Sequence, residues 1–376
     1  MKSAPVIGVV GLGAMGLGIA QTYAQAGFNI IATDGHEPAR LSAAARLKAS
    51  LDQRVAAGKM SGETRDEILG RFTVVSRMDE LAPADLVIEA IIEKLEAKQK
   101  MFAELETIVS KITILATNTS SLSVASVMSD LQNPERGLGL HFFNPAPVMK
   151  LVELVRHANT NDVALTLARQ ITEAAGKTVI LCADTPGFIV NRCARPFYGE
   201  ALALIEEGRK PADIDAAMIS VGYRVGPFSL IDLVGADINL AASTSVSVAM
   251  QQHPRYHVFE TLKRQVAAGH LGRKTERGFI YPEQLGQPPT DADAIVLRIE
   301  SILTNEAASL MSETDIGADE IDTAMKLGLN FPRGPFESAR RHGLPRIKQT
   351  LATLERAAPL HLKGRYVLSP ALEKMT

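Results

Sequence analysis

A histidine and a glutamate lie near each other in the chain, in a setting that favours proton transfer. His141 ends an apolar segment, and Glu153 lies within the next one, at 151–155. A carboxylate is costly to bury in an apolar strand without a partner, and the short proline-containing connection suits a hairpin that pairs the two residues. A histidine held by a carboxylate is an effective general base. The same spacing also fits a purely structural hydrogen bond, so the neighbouring features must decide.

A glycine-rich loop near the start of the sequence predicts a dinucleotide site. The apolar segment 6–10 precedes Gly11, Gly13 and Gly16, and a helical pattern follows as far as Gly27. Such glycines permit a tight turn, close approach to a pyrophosphate and close helix–strand packing, while the helix N-terminus faces the anion. The alternative is a glycine-rich turn between a strand and a helix that binds no ligand.

An acidic residue after the second predicted strand supports the dinucleotide interpretation. Asp34 lies at roughly the 20-residue spacing that suits a contact with ribose hydroxyls. Its carboxylate would repel a 2′-phosphate, and the nearest cation is Arg40. We therefore predict NAD rather than NADP.

Two polar segments are candidates for binding a reacting ligand. The segment 117–121, which contains Ser120, directly follows a predicted strand, and ligands bind where parallel strands end. Asn191 lies where a long helical region begins. Each has an ordinary structural alternative, a helix N-cap for the first and a polar helix residue for the second.

The elements that must position these residues form a predicted α/β domain and a following all-α region. Strands are expected at 6–10, 29–33, 72–75, 85–89, 112–116, 138–141, 150–155 and 178–182, with helices at 38–58 and 95–110. This alternation predicts a Rossmann-type domain with a parallel core over 1–184. Helices are expected at 188–208, 211–221 and 235–270, and a stretch rich in Gly, Pro and Asp at 282–293 is the linker candidate.

An internal repeat lies on both sides of that linker. The segment 214–218 recurs as 321–325, and 226–228 recurs as 334–336. The matched order indicates a duplicated helical unit, with domains at 185–282 and 293–376.

Composition excludes several classes of protein. The 376 residues are 46% hydrophobic and 22% charged, with 40 Lys and Arg against 42 Asp and Glu. The chain has no excess of basic residues that would favour binding to nucleic acid or to an anionic membrane surface. The stretch 3–33 contains no charged residue, but glycines and polar residues interrupt it, so no membrane span is expected. Two cysteines provide neither a disulfide framework nor a cysteine-rich zinc or iron–sulfur site, which fits a reducing compartment, and we expect the protein in the cytoplasm.

Together these motifs resemble those of the NAD-dependent L-3-hydroxyacyl-CoA dehydrogenase family. The glycine loop and the segments 87–90, 118–121, 141–145, 186–192 and 226–228 occur in the family's order. The resemblance implies that His141 is the base and Glu153 its partner, and that Ser120 and Asn191 contact the substrate.

The resemblance also implies ligand contacts elsewhere. Ser50 and Lys59 fall near the family's coenzyme A contacts. The residues expected to bind NAD are Gly11, Leu12, Gly13, Ala14, Met15, Gly16, Asp34, Glu93, Lys98, Ser120, Asn144 and Lys274. One departure is Thr117, where the family usually has serine. The second repeat contains neither the glycine loop nor the histidine segment, so we expect it to be structural.

The expected reaction is oxidation of an L-3-hydroxyacyl-CoA to a 3-ketoacyl-CoA, of the fatty-acid or aromatic-acid β-oxidation type, with an acyl-CoA as the partner and no metal. Two alternatives stay open. One is a related dehydrogenase of a free hydroxy acid or sugar acid, and the other is a non-catalytic NAD(H)-binding protein. The assembly is expected to be either a homodimer or a monomer whose repeats pack on each other.

Overall fold

The computed structural model describes residues 5–375 and contains two compact units, Met1–Thr185 and Pro186–Thr376. Residues 1–4 and 376, which the predicted domains include, lie outside the described residues. The first unit contains the sheet and the second is helical, which confirms the predicted fold class. The predicted boundary between the two helical repeats stays a prediction.

Eight strands form one sheet in the order β3-β2-β1-β4-β5-β6-β7-β8 within the described chain. The strands are β1 (Val6–Val10), β2 (Asn29–Thr33), β3 (Phe72–Val74), β4 (Leu86–Glu89), β5 (Ile114–Thr117), β6 (Gly137–Phe142), β7 (Leu151–Arg156) and β8 (Thr178–Ala183). Neighbouring strands are parallel except β6 and β7, which are antiparallel. The strand order reverses at β1, which lies between β2 and β4, and a nucleotide binds at such a switch point.

Helices cover the sheet. They are α1 (Ala14–Gln25), α2 (Glu37–Ala56), α3 (Gly62–Gly70), α4 (Leu95–Ile108), α5 (Val124–Val127) and α6 (Asp162–Ala174). Helix α3 was missed by the sequence reasoning, although Ser61 caps it by accepting a hydrogen bond from the backbone N–H of Thr64. A serine before a helical pattern is a start signal that reveals such a helix.

The second unit consists of helices α7 (Val190–Glu206), α8 (Pro211–Ser220), α9 (Pro227–Val234), α10 (Ala236–Ala249), α11 (Glu260–Ala267), α12 (Ala292–Glu313), α13 (Ala318–Leu329), α14 (Pro335–His342), α15 (Leu344–Ala357) and α16 (Pro370–Lys374). The prediction of one helix over 235–270 was wrong. Gln251 and Gln252 adopt left-handed backbone conformations with φ of 54° and 56°, and Pro254 follows. Since neither a left-handed residue nor proline continues a helix, α10 ends and α11 begins anew.

The duplicated sequence motif produces the same local structure twice. The Asp215 carboxylate accepts hydrogen bonds from the backbone N–H groups of Phe228 (2.9 Å) and Ser229 (2.7 Å), at the start of α9. Asp322 accepts the equivalent bonds at the start of α14. A side chain at Gly226 would put its Cβ 2.5 Å from the Asp215 Cα, so glycine is required there. The repeated motif is therefore an aspartate that caps a helix.

The two repeats also exchange charged side chains. A buried glutamate of the first repeat, Glu200, is bound by side chains from the second repeat. Arg298 and Arg365 donate to its carboxylate through Nε at 2.6 and 3.0 Å, and the Tyr366 hydroxyl donates at 3.0 Å. We call these four residues the Glu200 cluster.

The reciprocal arrangement surrounds Glu306 of the second repeat. Arg192 Nε donates to it at 2.6 Å, Arg255 Nη1 at 3.1 Å and the Tyr256 hydroxyl at 2.6 Å, and all three donors belong to the first repeat. These residues form the Glu306 cluster, which fixes the first turn of α7. Each repeat thus neutralises the buried carboxylate of the other, as in an isologous pairing of two copies.

Membrane insertion has no support in these helices, since none of those between residues 5 and 375 has the length and apolar character to cross a bilayer.

Candidate active site

The predicted histidine–glutamate pair is present in the sheet. In the antiparallel ladder of β6 and β7, His141 lies directly opposite Glu153. His141 Nδ1 lies 2.5 Å from Glu153 Oε2, and the two residues are 6% and 0% exposed. The Phe143 ring packs on the imidazole with centroids 4.6 Å apart. Residues directly opposite in such a ladder have neighbouring side chains on one face, which is why the hairpin brings the two together.

The contact with Glu153 determines which nitrogen of the His141 imidazole carries the proton. An ionised carboxylate only accepts hydrogen bonds, so the proton of the neutral ring lies on Nδ1 and the lone pair on Nε2. If Nε2 takes a proton, the positive charge develops beside the buried carboxylate, which stabilises it. The pair is therefore suited to act as a general base or, in reverse, a general acid.

The glycine loop has the shape that a pyrophosphate requires. Gly11 has φ of +100°, and a Cβ there would lie 2.5 Å from the Ala90 carbonyl oxygen. A Cβ at Gly16 would lie 1.8 Å from the Gly11 carbonyl oxygen, so this glycine allows α1 to pack against the loop. At Gly13, by contrast, a Cβ would have no atom of the described residues within 4 Å beyond its chain neighbours and its own helix. The open space at the start of α1 is the place where a dinucleotide phosphate fits.

Asp34 connects the end of β2 to this loop. Its Oδ2 accepts a hydrogen bond from the Leu12 backbone N–H at 2.7 Å, and its Oδ1 accepts one from His36 N–H at 2.7 Å. Each oxygen keeps a second lone pair, which suits a ribose hydroxyl. The nearby cations donate to backbone carbonyls, Arg40 to Asp34 and Arg46 to Leu12. Arg46 was not singled out from the sequence.

A buried carboxylate within the motif 87–90, not singled out from the sequence, organises the ends of β4 and β5. Glu89 is 0% exposed and accepts hydrogen bonds from Lys98 Nζ at 2.5 Å and Thr117 Oγ1 at 2.6 Å. Lys98 is 1% exposed and also pairs with Glu93 at 3.1 Å. Threonine at 117 therefore provides the hydroxyl that serine would. A charge inside an apolar strand was the signal for Glu89.

Glu93 in turn orders the segment that contains Ser120. Its Oε1 accepts hydrogen bonds from the Thr119 hydroxyl at 2.5 Å, the Ser120 backbone N–H at 3.0 Å and the Ser121 hydroxyl at 3.0 Å. Partial burial opposes the charge of Glu93, but Lys98 and the hydrogen bond from Thr119 outweigh it and hold its pKa below the ordinary value. The Ser120 backbone is thus fixed by an ionised carboxylate.

Asn118 connects the same segment to the end of β6, next to His141. Its Oδ1 accepts a hydrogen bond from the Phe142 backbone N–H at 2.8 Å, one residue after His141. The first unit therefore brings together the ends of β4, β5 and β6, through a side-chain hydrogen bond between β4 and β5 and a side-chain-to-backbone hydrogen bond to β6.

A pocket of about 340 Å³ lies between α1, the end of α2 and the connection between β6 and β7. Ser50 and Lys59, both expected from the resemblance, line it, and the Ser50 hydroxyl donates to Gln21 Oε1 at 3.0 Å. Arg54 also lines the pocket and was missed. It lies one helical turn beyond Ser50 on α2, so helical spacing was the signal. Two cations in one pocket suit an anionic ligand.

Asn191 and Lys274 belong to the second unit. Asn191 lies in the first turn of α7, next to Arg192 of the Glu306 cluster. Lys274 forms an ion pair with Asp237 at 2.5 Å. The other expected contact residue, Asn144, is exposed and lies two residues after the end of β6.

Comparison with known proteins identifies the family. The family described as "3-hydroxyacyl-CoA dehydrogenase, NAD binding domain" matches residues 6–185, and "3-hydroxyacyl-CoA dehydrogenase, C-terminal domain" matches residues 187–281 and again 295–376. The chain belongs to the 3-hydroxyacyl-CoA dehydrogenase family. The first unit is thus this family's NAD-binding domain, and the cofactor is NAD.

Individual family members agree with this assignment. The chain is 38% identical over 327 residues to the 3-hydroxyadipyl-CoA dehydrogenase of Escherichia coli, covering 86% of this chain and 67% of that protein. The crystal structure of a 3-hydroxybutyryl-CoA dehydrogenase from Escherichia coli superposes with a TM-score of 0.91 at 30% identity and covers 99% of this chain and 98% of the other. The (S)-3-hydroxybutyryl-CoA dehydrogenase of Ralstonia eutropha has a TM-score of 0.72 at 34% identity, with 75% and 100% covered.

Proposed function

We propose that the protein oxidises an L-3-hydroxyacyl-CoA to the 3-ketoacyl-CoA with NAD+ as the electron acceptor. The observation that carries this proposal is the 2.5 Å contact between the buried His141 imidazole and the Glu153 carboxylate, at the strand ends where the glycine loop also lies. A general base beside a nicotinamide site is the arrangement that alcohol oxidation needs.

The proposed mechanism separates the tasks of the residues. Neutral His141 takes the hydroxyl proton at Nε2, and the Glu153 carboxylate stabilises the imidazolium that forms. Bound NAD+ would supply the acceptor for the hydride that leaves C3 of the substrate. Ser120 and Asn191 hold the oxygen of the reacting carbon or the thioester carbonyl, and errors of ~1 Å in such placement cost ~100-fold in rate. In the reverse reaction His141 returns the proton.

The cofactor contacts are proposed for the residues that the resemblance implies. The loop from Gly11 to Gly16 receives the pyrophosphate, and Asp34 accepts from the adenosine ribose. Asn144 helps to place the nicotinamide, and Ser120 and Lys274 contact NAD. Glu93 and Lys98 are also proposed to contact NAD. Lys98 is buried between Glu89 and Glu93 and holds Glu93 in place.

The coenzyme A portion of the substrate is proposed to occupy the pocket lined by Ser50, Arg54 and Lys59. The Nε of Arg54 is buried and has no hydrogen-bond partner among the described residues. A phosphate oxygen is the kind of acceptor that an arginine and a lysine bind.

The direct test follows NADH consumption with acetoacetyl-CoA, with free acetoacetate as the comparison. We expect turnover of the thioester and little with the free acid. Turnover of acetoacetate alone would favour the dehydrogenase of a free hydroxy acid, and NADH binding without reduction of any 3-ketoacyl-CoA would favour a non-catalytic protein. His141→Ala should keep NADH binding and lose turnover by orders of magnitude.

We further propose that the enzyme acts in the cytoplasm, in a pathway of the β-oxidation type, as the low cysteine content and the family suggest. The reciprocal Glu200 and Glu306 clusters support a monomer in which the second repeat takes the position of a partner's helical domain, rather than a homodimer.

A further inference from the structure

Lys177 is a buried cation outside the site described above. It lies between α6 and β8 and is 9% exposed. Its Nζ donates hydrogen bonds to the carbonyl oxygens of Ala146 at 2.5 Å and Met149 at 2.8 Å. Burial lowers the pKa of Lys177 to about 8. A charged group is costly to bury, so its retention beside two backbone carbonyls calls for a reason.

Both carbonyls belong to the connection between β6 and β7, residues 143–150, which we call the hairpin loop. Within this loop the backbone N–H groups of Val148 and Met149 donate to the Pro145 carbonyl at 2.9 and 3.0 Å. The loop is thus a compact turn. Lys177, the residue just before β8, binds two carbonyl oxygens of this loop and so connects the loop to the sheet.

The hairpin loop also packs against α1. A Cβ at Gly18 would lie 3.2 Å from Pro147 Cδ and 3.3 Å from Ala146 Cβ, so the loop approaches the helix closely where a glycine allows it. The loop therefore has two attachments, the close approach to α1 at Gly18 and the hydrogen bonds from Lys177.

The hairpin loop is also one wall of the pocket. Pro145, Pro147 and Val148 line it opposite Ser50 and Arg54. A displacement of the loop therefore changes the distance between this wall and the two pocket cations, Arg54 and Lys59. The start of the loop belongs to the His141 site, because Phe143 packs on the imidazole and Asn144 is a proposed cofactor contact. The carbonyls that Lys177 binds, those of Ala146 and Met149, instead flank the pocket-lining residues Pro147 and Val148.

We propose that Lys177 is a positioning residue that sets the width of the coenzyme A pocket by holding the hairpin loop. This inference rests on the proposed function, because it assumes that the pocket receives the phosphate-bearing part of the substrate. It predicts that Lys177 controls affinity for the coenzyme A portion, rather than the rate of the chemical step.

The test compares Lys177→Met with Lys177→Arg, which keeps N–H donors, and with Lys111→Met, the same change at an exposed lysine of the first unit. Acetoacetyl-CoA is compared with acetoacetyl-pantetheine, which lacks the nucleotide phosphates. We expect Lys177→Met to raise KM for acetoacetyl-CoA about tenfold, with kcat and KM for acetoacetyl-pantetheine changed less than about threefold. Lys177→Arg and Lys111→Met should resemble the unmodified protein.

An unchanged KM for acetoacetyl-CoA in Lys177→Met overturns the inference, and so does an equal rise for both thioesters, since a general structural defect would affect both. If Lys177→Met does not fold, Lys177→Gln, which retains an amide donor, takes its place in the same comparison. Failure of the proposed function is distinguishable, because the unmodified protein would then not reduce acetoacetyl-CoA at all.

Discussion

Replacing Glu153 by glutamine tests the catalytic reasoning most directly. The substitution keeps the size of a side chain that is 0% exposed and removes its charge, which lies 2.5 Å from His141 Nδ1. The charge of the imidazolium is spread over the ring, so a separation of ~4 Å and an effective dielectric constant of ~20 give ~4 kcal/mol of stabilisation. Since ~1.4 kcal/mol corresponds to a tenfold change in rate, kcat should fall ~1000-fold.

The assay is steady-state reduction of acetoacetyl-CoA by NADH, repeated with NADH deuterated at the transferred position. We expect KM to change less than about threefold, because Glu153 acts on the transition state more than on binding. The isotope effect should increase as chemistry becomes rate-limiting. Glu104→Gln, at an exposed glutamate of α4, is the matched control. A Glu153→Gln protein with kcat near normal would refute the role assigned to the pair.

Three further predictions concern the cofactor loop and the helical unit. Gly13→Ala should weaken NADH binding about tenfold in a fluorescence titration without changing the melting temperature, whereas Gly16→Ala should lower the melting temperature, because only the second Cβ meets the protein itself. Deleting residues 293–376 should expose apolar surface and leave buried charges without partners, so light scattering should show aggregation or an altered assembly; a monodisperse, fully active truncation would contradict this. Burial raises the pKa of Asp215 to about 6, so the folded state binds the proton more tightly than the unfolded state, and stability from this group is lost as pH rises from about 4 to above 6. Denaturant titrations should therefore show Asp215→Asn gaining up to ~3 kcal/mol relative to the unmodified protein across that range, and a pH-independent difference would disprove the burial argument.

Sequence patterns predicted those features that depend on local order. The βαβ unit with its glycine loop follows from apolar segments and turn residues, and the pairing of His141 with Glu153 follows from a short connection between two strands. Both are present in the structure. The catalytic role of the pair stays a prediction.

Features that depend on tertiary contacts were not predictable in this way. The burial of Lys98 and of Lys177 results from which strand ends and loops meet, and a lysine in a sequence is ordinarily a surface residue. The break between α10 and α11 was missed although Pro254 marks it in the sequence. The left-handed residues beside it are Gln251 and Gln252, rather than glycine, and gave no further signal. The prediction followed the helical periodicity alone and therefore extended one helix over both α10 and α11.

The exchanged arginines of the helical unit have a consequence for behaviour at low concentration. When two separate polypeptides supply the opposing charges, dilution dissociates the two chains and leaves each buried glutamate without its arginine partners. Here the arginine donors and the glutamate acceptors belong to one polypeptide. Their hydrogen bonds are therefore intramolecular and do not depend on the protein concentration. Thermal denaturation of the helical unit should then occur at the same temperature in nanomolar and micromolar solutions.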